Sequence, residues 1–241
     1  MRKTVYAAGA LSMLAALTFA APAQAGGKHD DGGRGSDDAL LSVLHAVPGL
    51  TVDVWVDGKL TLDDFKPGTL AGPLKLDDGS YKIAITAADA TSADDAVIGP
   101  VRVNLQEGRN YTAVAHLDAS GDPTATLFKN STSASPKGEG KLTVRHVAAA
   151  PAVDVLAGDT AVIEDLKNAR QRVLTLDAGT VSASVAAAGT TGALIGPADI
   201  PVTAGKNTIV YAWGSLKDDT LNVAVQVVDS DKWRDHHHHD R

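Results

Sequence analysis

Two histidines sit in matching surroundings about a hundred residues apart. His45 lies in "LHAVPGLTVDVWVDG" and His146 in "RHVAAAPAVDVLAGD", and in each stretch an aspartate, Asp53 or Asp154, follows within a Val-Asp-Val triplet. Imidazole titrates near neutrality and binds metals, so a doubled His and Asp raises the question of a doubled ligand site or a doubled general base. A metal site needs three or four convergent ligands, and neither His has a second His, Asp or Glu at ligand spacing in its own loop. The expectation is therefore a structural joint, with each His at a strand end bonding a turn carbonyl. Strand alternation points Asp53 and Asp154 away from their flanking valines, which predicts that both face solvent.

Other chemistry is sparse. The sequence has no Gly-x-Ser-x-Gly elbow, no His-Glu-x-x-His helix and no phosphate-cradling Gly loop. Ser and Asp are plentiful enough for a triad with His45, His116 or His146, but nothing in the spacing selects one. The carboxylate pairs Asp63-Asp64, Asp77-Asp78, Asp94-Asp95 and Asp218-Asp219 fall in expected loops, where turn residues belong. In "DASGDPT", Asp118, Ser120 and Asp122 have the one-three-five spacing of a calcium loop, yet Pro123 stands where the loop needs Gly and no later Glu follows, so a hairpin loop is expected. "DHHHHD" places His236, His237, His238 and His239 between carboxylates, a composition that captures Zn, Ni or Cu without any fold. A tag or a solubilising tail accounts for it equally. No other cofactor is expected. Trp55 and Trp213 fall within strands, as a single stacking residue on a rim or as core fillers.

The elements that would position these residues read as β throughout. From Ala39 the pattern is period two or short Val/Ile/Leu runs, punctuated by Gly, Pro and Asp every 8 to 12 residues or so. Strands are predicted near 40–46, 51–56, 59–62, 70–76, 80–87, 97–105, 110–117 and 124–128. Asp57-Gly58 and Asp78-Gly79 are read as hairpin turns. Val162 to Arg170 is read as a short turn-rich crossover. Laid over itself, the chain repeats: His45 falls on His146, Val52-Asp53-Val54 on Val153-Asp154-Val155, "LDDG" at Leu76 on "LDAG" at Leu176, and "IGP" at Ile98 on "IGP" at Ile195. A period near a hundred residues with seven or eight short strands is the size of an immunoglobulin-like sandwich. The predicted fold is all-β, two tandem immunoglobulin-like sandwiches following a signal peptide.

The ordered set His45, Pro48, "VDVWVDG", "LDDGSYKIAI" and "VNLQEGRNYTAVAHL" resembles the bacterial extracellular family called domain of unknown function 4397. "VRHVAAAPAVDVLAGD", "LDAGTVSASV" and "VTAGKNTIVYAW" in the second copy resemble it too. The resemblance implies a secreted or cell-surface β-sandwich, often repeated, with no established activity. The second copy departs by carrying Ala148 where Pro48 would fall, with its own Pro at Pro151.

The first 25 residues have Arg2 and Lys3, a mostly apolar stretch to Ala21, and Ala23-Gln24-Ala25 as a small-x-small cleavage signal, so a secretory signal peptide is expected with cleavage after Ala25. Residues 26–38 read as a flexible Gly/Asp leader, 39–129 as the first repeat, 130–140 as a linker, 141–229 as the second repeat and 230–241 as a polar His-rich tail. The chain has no cysteine, so each sandwich must be held by its core. Beyond the signal peptide 20 basic residues face 29 acidic ones, a formal charge of −9 that repels nucleic acid and anionic lipid. No later apolar run reaches the ~20 residues of a membrane span. Together these predict an exported, non-catalytic module that binds, adheres or spaces at or outside the cell envelope, with an envelope or extracellular partner. The alternatives are metal capture by the His tail and a hydrolase.

Overall fold

The structure, a computed structural model, describes residues 38–230; the expected signal peptide with its cleavage at Ala25, the leader, and His236 to His239 lie outside the described residues. The first eight strands are β1 (Ala39–Ala46), β2 (Val52–Val56), β3 (Lys59–Phe65), β4 (Leu70–Leu76), β5 (Gly79–Ala87), β6 (Ile98–Leu105), β7 (Asn110–Leu117) and β8 (Pro123–Lys129), with one 3₁₀ turn at Ala93–Asp95. They form two four-stranded sheets, ordered β4-β1-β7-β8 and β3-β2-β5-β6.

The next eight are β9 (Glu139–Ala149), β10 (Val153–Ala157), β11 (Thr160–Leu166), β12 (Arg170–Asp177), β13 (Gly179–Ala187), β14 (Ala193–Val202), β15 (Lys206–Ser215) and β16 (Asn222–Asp229). Their sheets, β12-β9-β15-β16 and β11-β10-β13-β14, reproduce the first pair strand for strand. Even the parallel pairing of β1 with β7 recurs between β9 and β15. The chain is thus all-β, two sandwich units of eight strands each.

Each sandwich closes on its own core. Leu41, Val43, Val52, Val54 and Ile85 meet in the first, and Leu142, Val144, Val153, Val155 and Leu166 in the second. The opposite faces of the β1 and β9 sheets are covered as well, because they pack on each other. Leu44, Val114 and Phe128 from the first sandwich join Val147, Ile209, Tyr211 and Trp213 from the second in a third apolar cluster. The result is four sheets deep, with a seam between the two middle sheets. Strands at the seam are covered on both faces, so β1, β7, β9 and β15 are buried almost throughout, whereas the edge strands β3 and β12 are largely exposed.

Three local expectations are corrected. Asp57-Gly58 makes a true hairpin: Val56 pairs with Lys59, and both turn residues have positive φ, 49° and 78°. Asp78-Gly79 instead carries the chain from β4 in one sheet to β5 in the other, because a sandwich needs sharp crossings between sheets as much as hairpins within them. Val162 to Leu166 is the body of β11, so only residues 167–169 cross, with Ala169 in the left-handed region at φ 58°. Asp63 and Asp64, expected in a loop, lie within β3 at a bulge where Asp64 has φ 50°.

Candidate functional site

His45 and His146 occupy equivalent joints. His45 is 1% exposed at the end of β1, and its Nε2 donates to the Leu50 carbonyl at 2.7 Å across the turn. His146 lies near the end of β9, 1% exposed, and donates from Nε2 to the Pro151 carbonyl at 2.9 Å. A carbonyl only accepts, so each Nε2 carries the ring proton. Burial holds both rings below the usual imidazole range, an effect the turn carbonyls oppose. His45 also stacks on Phe65 with ring centroids 6.0 Å apart. The strand-end and turn-carbonyl geometry is what the sequence predicts, although Pro48 and Pro151 stand at different places in the two turns.

Asp53 and Asp154 depart from expectation. Both point away from the core, yet they are only 2% and 7% exposed. The bulge of the neighbouring strand folds over them. Asp64 N–H donates to Asp53 Oδ1 and Asp165 N–H to Asp154 Oδ1, each at 2.9 Å, with both donors in the left-handed region at φ 50°. Asp154 Oδ2 also accepts from Gly189 N–H at 2.8 Å. These two amides hold the Asp154 carboxyl below the usual carboxylate range. In the first copy, oxygens of Asp53, Asp63 and Asp64 lie within 4.8 Å of one another, the set among the described residues that a hard cation would take. Asp53 is already engaged in fastening the bulge.

The remaining sequence candidates scatter. Asp118 Oδ1 accepts from the amides of Ser120 and Asp122, closing the β7–β8 hairpin as an Asx turn instead of a calcium loop. Ser92 caps the 3₁₀ turn that carries Asp94 and Asp95. Asp218 accepts from Ser215 Oγ at 2.6 Å in the β15–β16 turn. Trp55 lies half-buried on an outer sheet with Nε1 donating to Thr86, and Trp213 is buried in the seam. A cavity in the first sandwich measures about 20 Å³ and one in the second about 10 Å³, each room for no more than a water.

The densest polar chemistry lies in the seam, where sequence reading did not look. Arg145, fully buried, stands over the Phe128 ring at 4.5 Å and the Tyr211 ring at 5.2 Å. It donates from Nε to Gln171 at 2.8 Å, from Nη1 to Tyr211 OH at 2.7 Å and from Nη2 to Asn130 Oδ1 at 2.8 Å. Tyr211 passes its own proton to Gln226 Oε1 at 2.6 Å, which Thr112 also reaches, while Gln226 Nε2 donates to Ser42. The guanidinium has oxygens and aromatic faces in place of a carboxylate, and burial lowers its pKa while Tyr211 raises it. The segment joining the sandwiches is part of this network: Asn207 Nδ2 donates to the Ser131 carbonyl and buried Lys141 to Ser133. A signal was present in the sequence, since Arg145 interrupts an apolar strand where the first copy has Leu44, and Gln226 sits among valines.

Comparison with protein-family models matches residues 39–156 to a domain of unknown function, DUF4397. The match begins with β1, runs through the first sandwich, and continues across β9 into β10. It stops there, so the second sandwich as a whole rests on its topology and internal repeat. A search of curated proteins returns no match.

Proposed function

We propose, for a chain that belongs to the DUF4397 family through residues 39–156, that it is an exported, non-catalytic module: a stiff double sandwich that binds, adheres or spaces at or outside the cell envelope. The seam carries this reading. Two sandwiches joined only by a Gly/Ser-rich segment would swing freely, whereas here the connecting residues Asn130, Ser131 and Ser133 are hydrogen-bonded into the middle of a four-sheet stack. A body held this way keeps its two ends at a fixed separation, the property a spacer or adhesive stalk requires. The chemistry-bearing residues support the same reading, because His45, His146, Asp53 and Asp154 are all spent on fastening turns and bulges. The excess of acid over base keeps such a module soluble and away from anionic surfaces.

Fractionating producing cells after covalent cross-linking tests it. The expected result is a chain beginning at Gly26, recovered from the envelope or the medium and cross-linked to an envelope or extracellular partner. Full-length protein confined to the cytoplasm would refute export. Turnover on a hydrolase panel, lost in His45→Ala, would refute the non-catalytic reading.

A further inference from the structure

One end of the seam is bridged by a hydrogen-bonded chain that contains two buried imidazoles. His116, fully buried at the end of β7, donates from Nδ1 to the Leu117 carbonyl at 2.8 Å and meets Thr126 Oγ1 through Nε2 at 2.9 Å. The same Leu117 carbonyl accepts from Asn168 Nδ2 at 3.0 Å, and the second Asn168 proton goes to the Ala148 carbonyl at 2.7 Å. Ala148 N–H in turn points at His146 Nδ1, 3.4 Å away. The order His116, Leu117, Asn168, Ala148, His146 thus passes from the first sandwich to the second through one amide side chain.

We propose that this chain is an acid-sensitive latch: protonation of His146 and His116 releases the Asn168 bridge and loosens one sandwich from the other while each keeps its own fold.

The two rings respond differently to a second proton. His116 tolerates it, because the Thr126 hydroxyl turns from donor to acceptor. His146 does not, because a proton on Nδ1 faces the Ala148 N–H, donor against donor. Relief requires the 147–148 peptide to move, and the Ala148 carbonyl on the other side of the same Cα is where Asn168 is anchored. The two imidazolium charges also repel each other across the seam.

The groups around the pair act in both directions: the backbone of Pro151 and Ala150 favours the charged His146 ring. Asp118, half-buried in the turn after β7, is the carboxylate facing His116 and favours its protonation. Arg170, the β12 partner of His146, is a cation and disfavours a second charge on that ring. Lys167 beside Asn168 is paired with Asp165. The β1, β8 and β15 neighbours in register, Ala46, Thr124 and Ala212, are uncharged.

Hydrogen exchange on the unmodified chain at pH 7.5 and 5.5, corrected for the intrinsic rate, reads the latch directly. Protection should fall tenfold or more at 112–118, 145–150 and 168–170, and hold in the outer-sheet segments 52–56 and 153–157. His146→Gln, whose amide can donate to Pro151 and accept from Ala148 without titrating, should keep the seam protected at pH 5.5. Unchanged protection in the unmodified chain, equal loss in the outer sheets, or the same loss in a folded His146→Gln variant would each overturn the proposal. Should that variant fail to fold at pH 7.5, the exchange pattern of the unmodified chain decides alone.

Discussion

At the scale of the residue, polar groups in this protein are fasteners. Asp53 and Asp154 each fix a bulge by accepting one amide, and Asp154 accepts a second from Gly189. Asp53→Ala strands one amide and should cost about 1 kcal/mol in a denaturant titration. Asp154→Ala strands two and should cost more, so the two midpoints should fall in that order. The pH dependence has two windows of common direction. His45, His116 and His146 have folded-state pKa values below the ordinary 6.5 because burial disfavours the charged ring. Below about pH 6.5 the unfolded chain therefore binds more protons than the folded one, and stability falls with pH after being full at neutrality. Asp154 acts lower: its carboxyl is held below the ordinary 3.8, so its contribution is present above that value and lost as pH falls through the folded one. Denaturant midpoints at pH 7.5, 5.5 and 3 should decline at each step, the first decline coming from the histidines.

At the scale of the element, turn chemistry is strict where the backbone is crowded and lenient where it is open. Gly99 has φ 92°, and an added Cβ would lie 2.7 Å from Val101 N and 2.8 Å from the Ile83 carbonyl. Gly58 has φ 78° with nothing within 4 Å. Gly99→Ala should therefore cost about 3 kcal/mol, from steric conflict on top of left-handed strain, and Gly58→Ala about 1 kcal/mol from strain alone. Paired melting curves would separate them; equal shifts would show that the crowding at Gly99 is relieved. The strands were legible because alternation or a short apolar run bounded by turn residues marks them: predicted 70–76 and 110–117 coincide with β4 and β7. What the period did not carry was the partner of each strand. Asp-Gly favours the same left-handed backbone whether the chain turns back within a sheet or passes to the facing one, so Asp57-Gly58 and Asp78-Gly79 look alike and do different things.

At the scale of the whole molecule, the seam makes two sandwiches one body. Arg145→Ala removes the guanidinium from between two rings and takes a donor from each of Asn130, Gln171 and Tyr211, which should cost about 3 kcal/mol. Arg145→Leu, matching Leu44 of the first copy, loses the same hydrogen bonds but fills most of the space, and should cost about 1 kcal/mol less than Arg145→Ala. Calorimetric melting of the two variants checks the ranking. The first sandwich alone, ending after Asn130, would expose Leu44, Ala46, Val114 and Phe128 as one apolar patch and should self-associate in sedimentation experiments, where the full chain does not expose them. The all-β class, the doubling, most strand positions and the His joints are legible along the chain, because they follow from periodicity and from contacts made within a few residues. The burial of Asp53 and Asp154, the hold on the linking segment, and the network of Arg145, Tyr211 and Gln226 emerge with the folded arrangement alone. Those facts depend on which surfaces meet across long separations, and a strand's period records which face is apolar without recording what covers it.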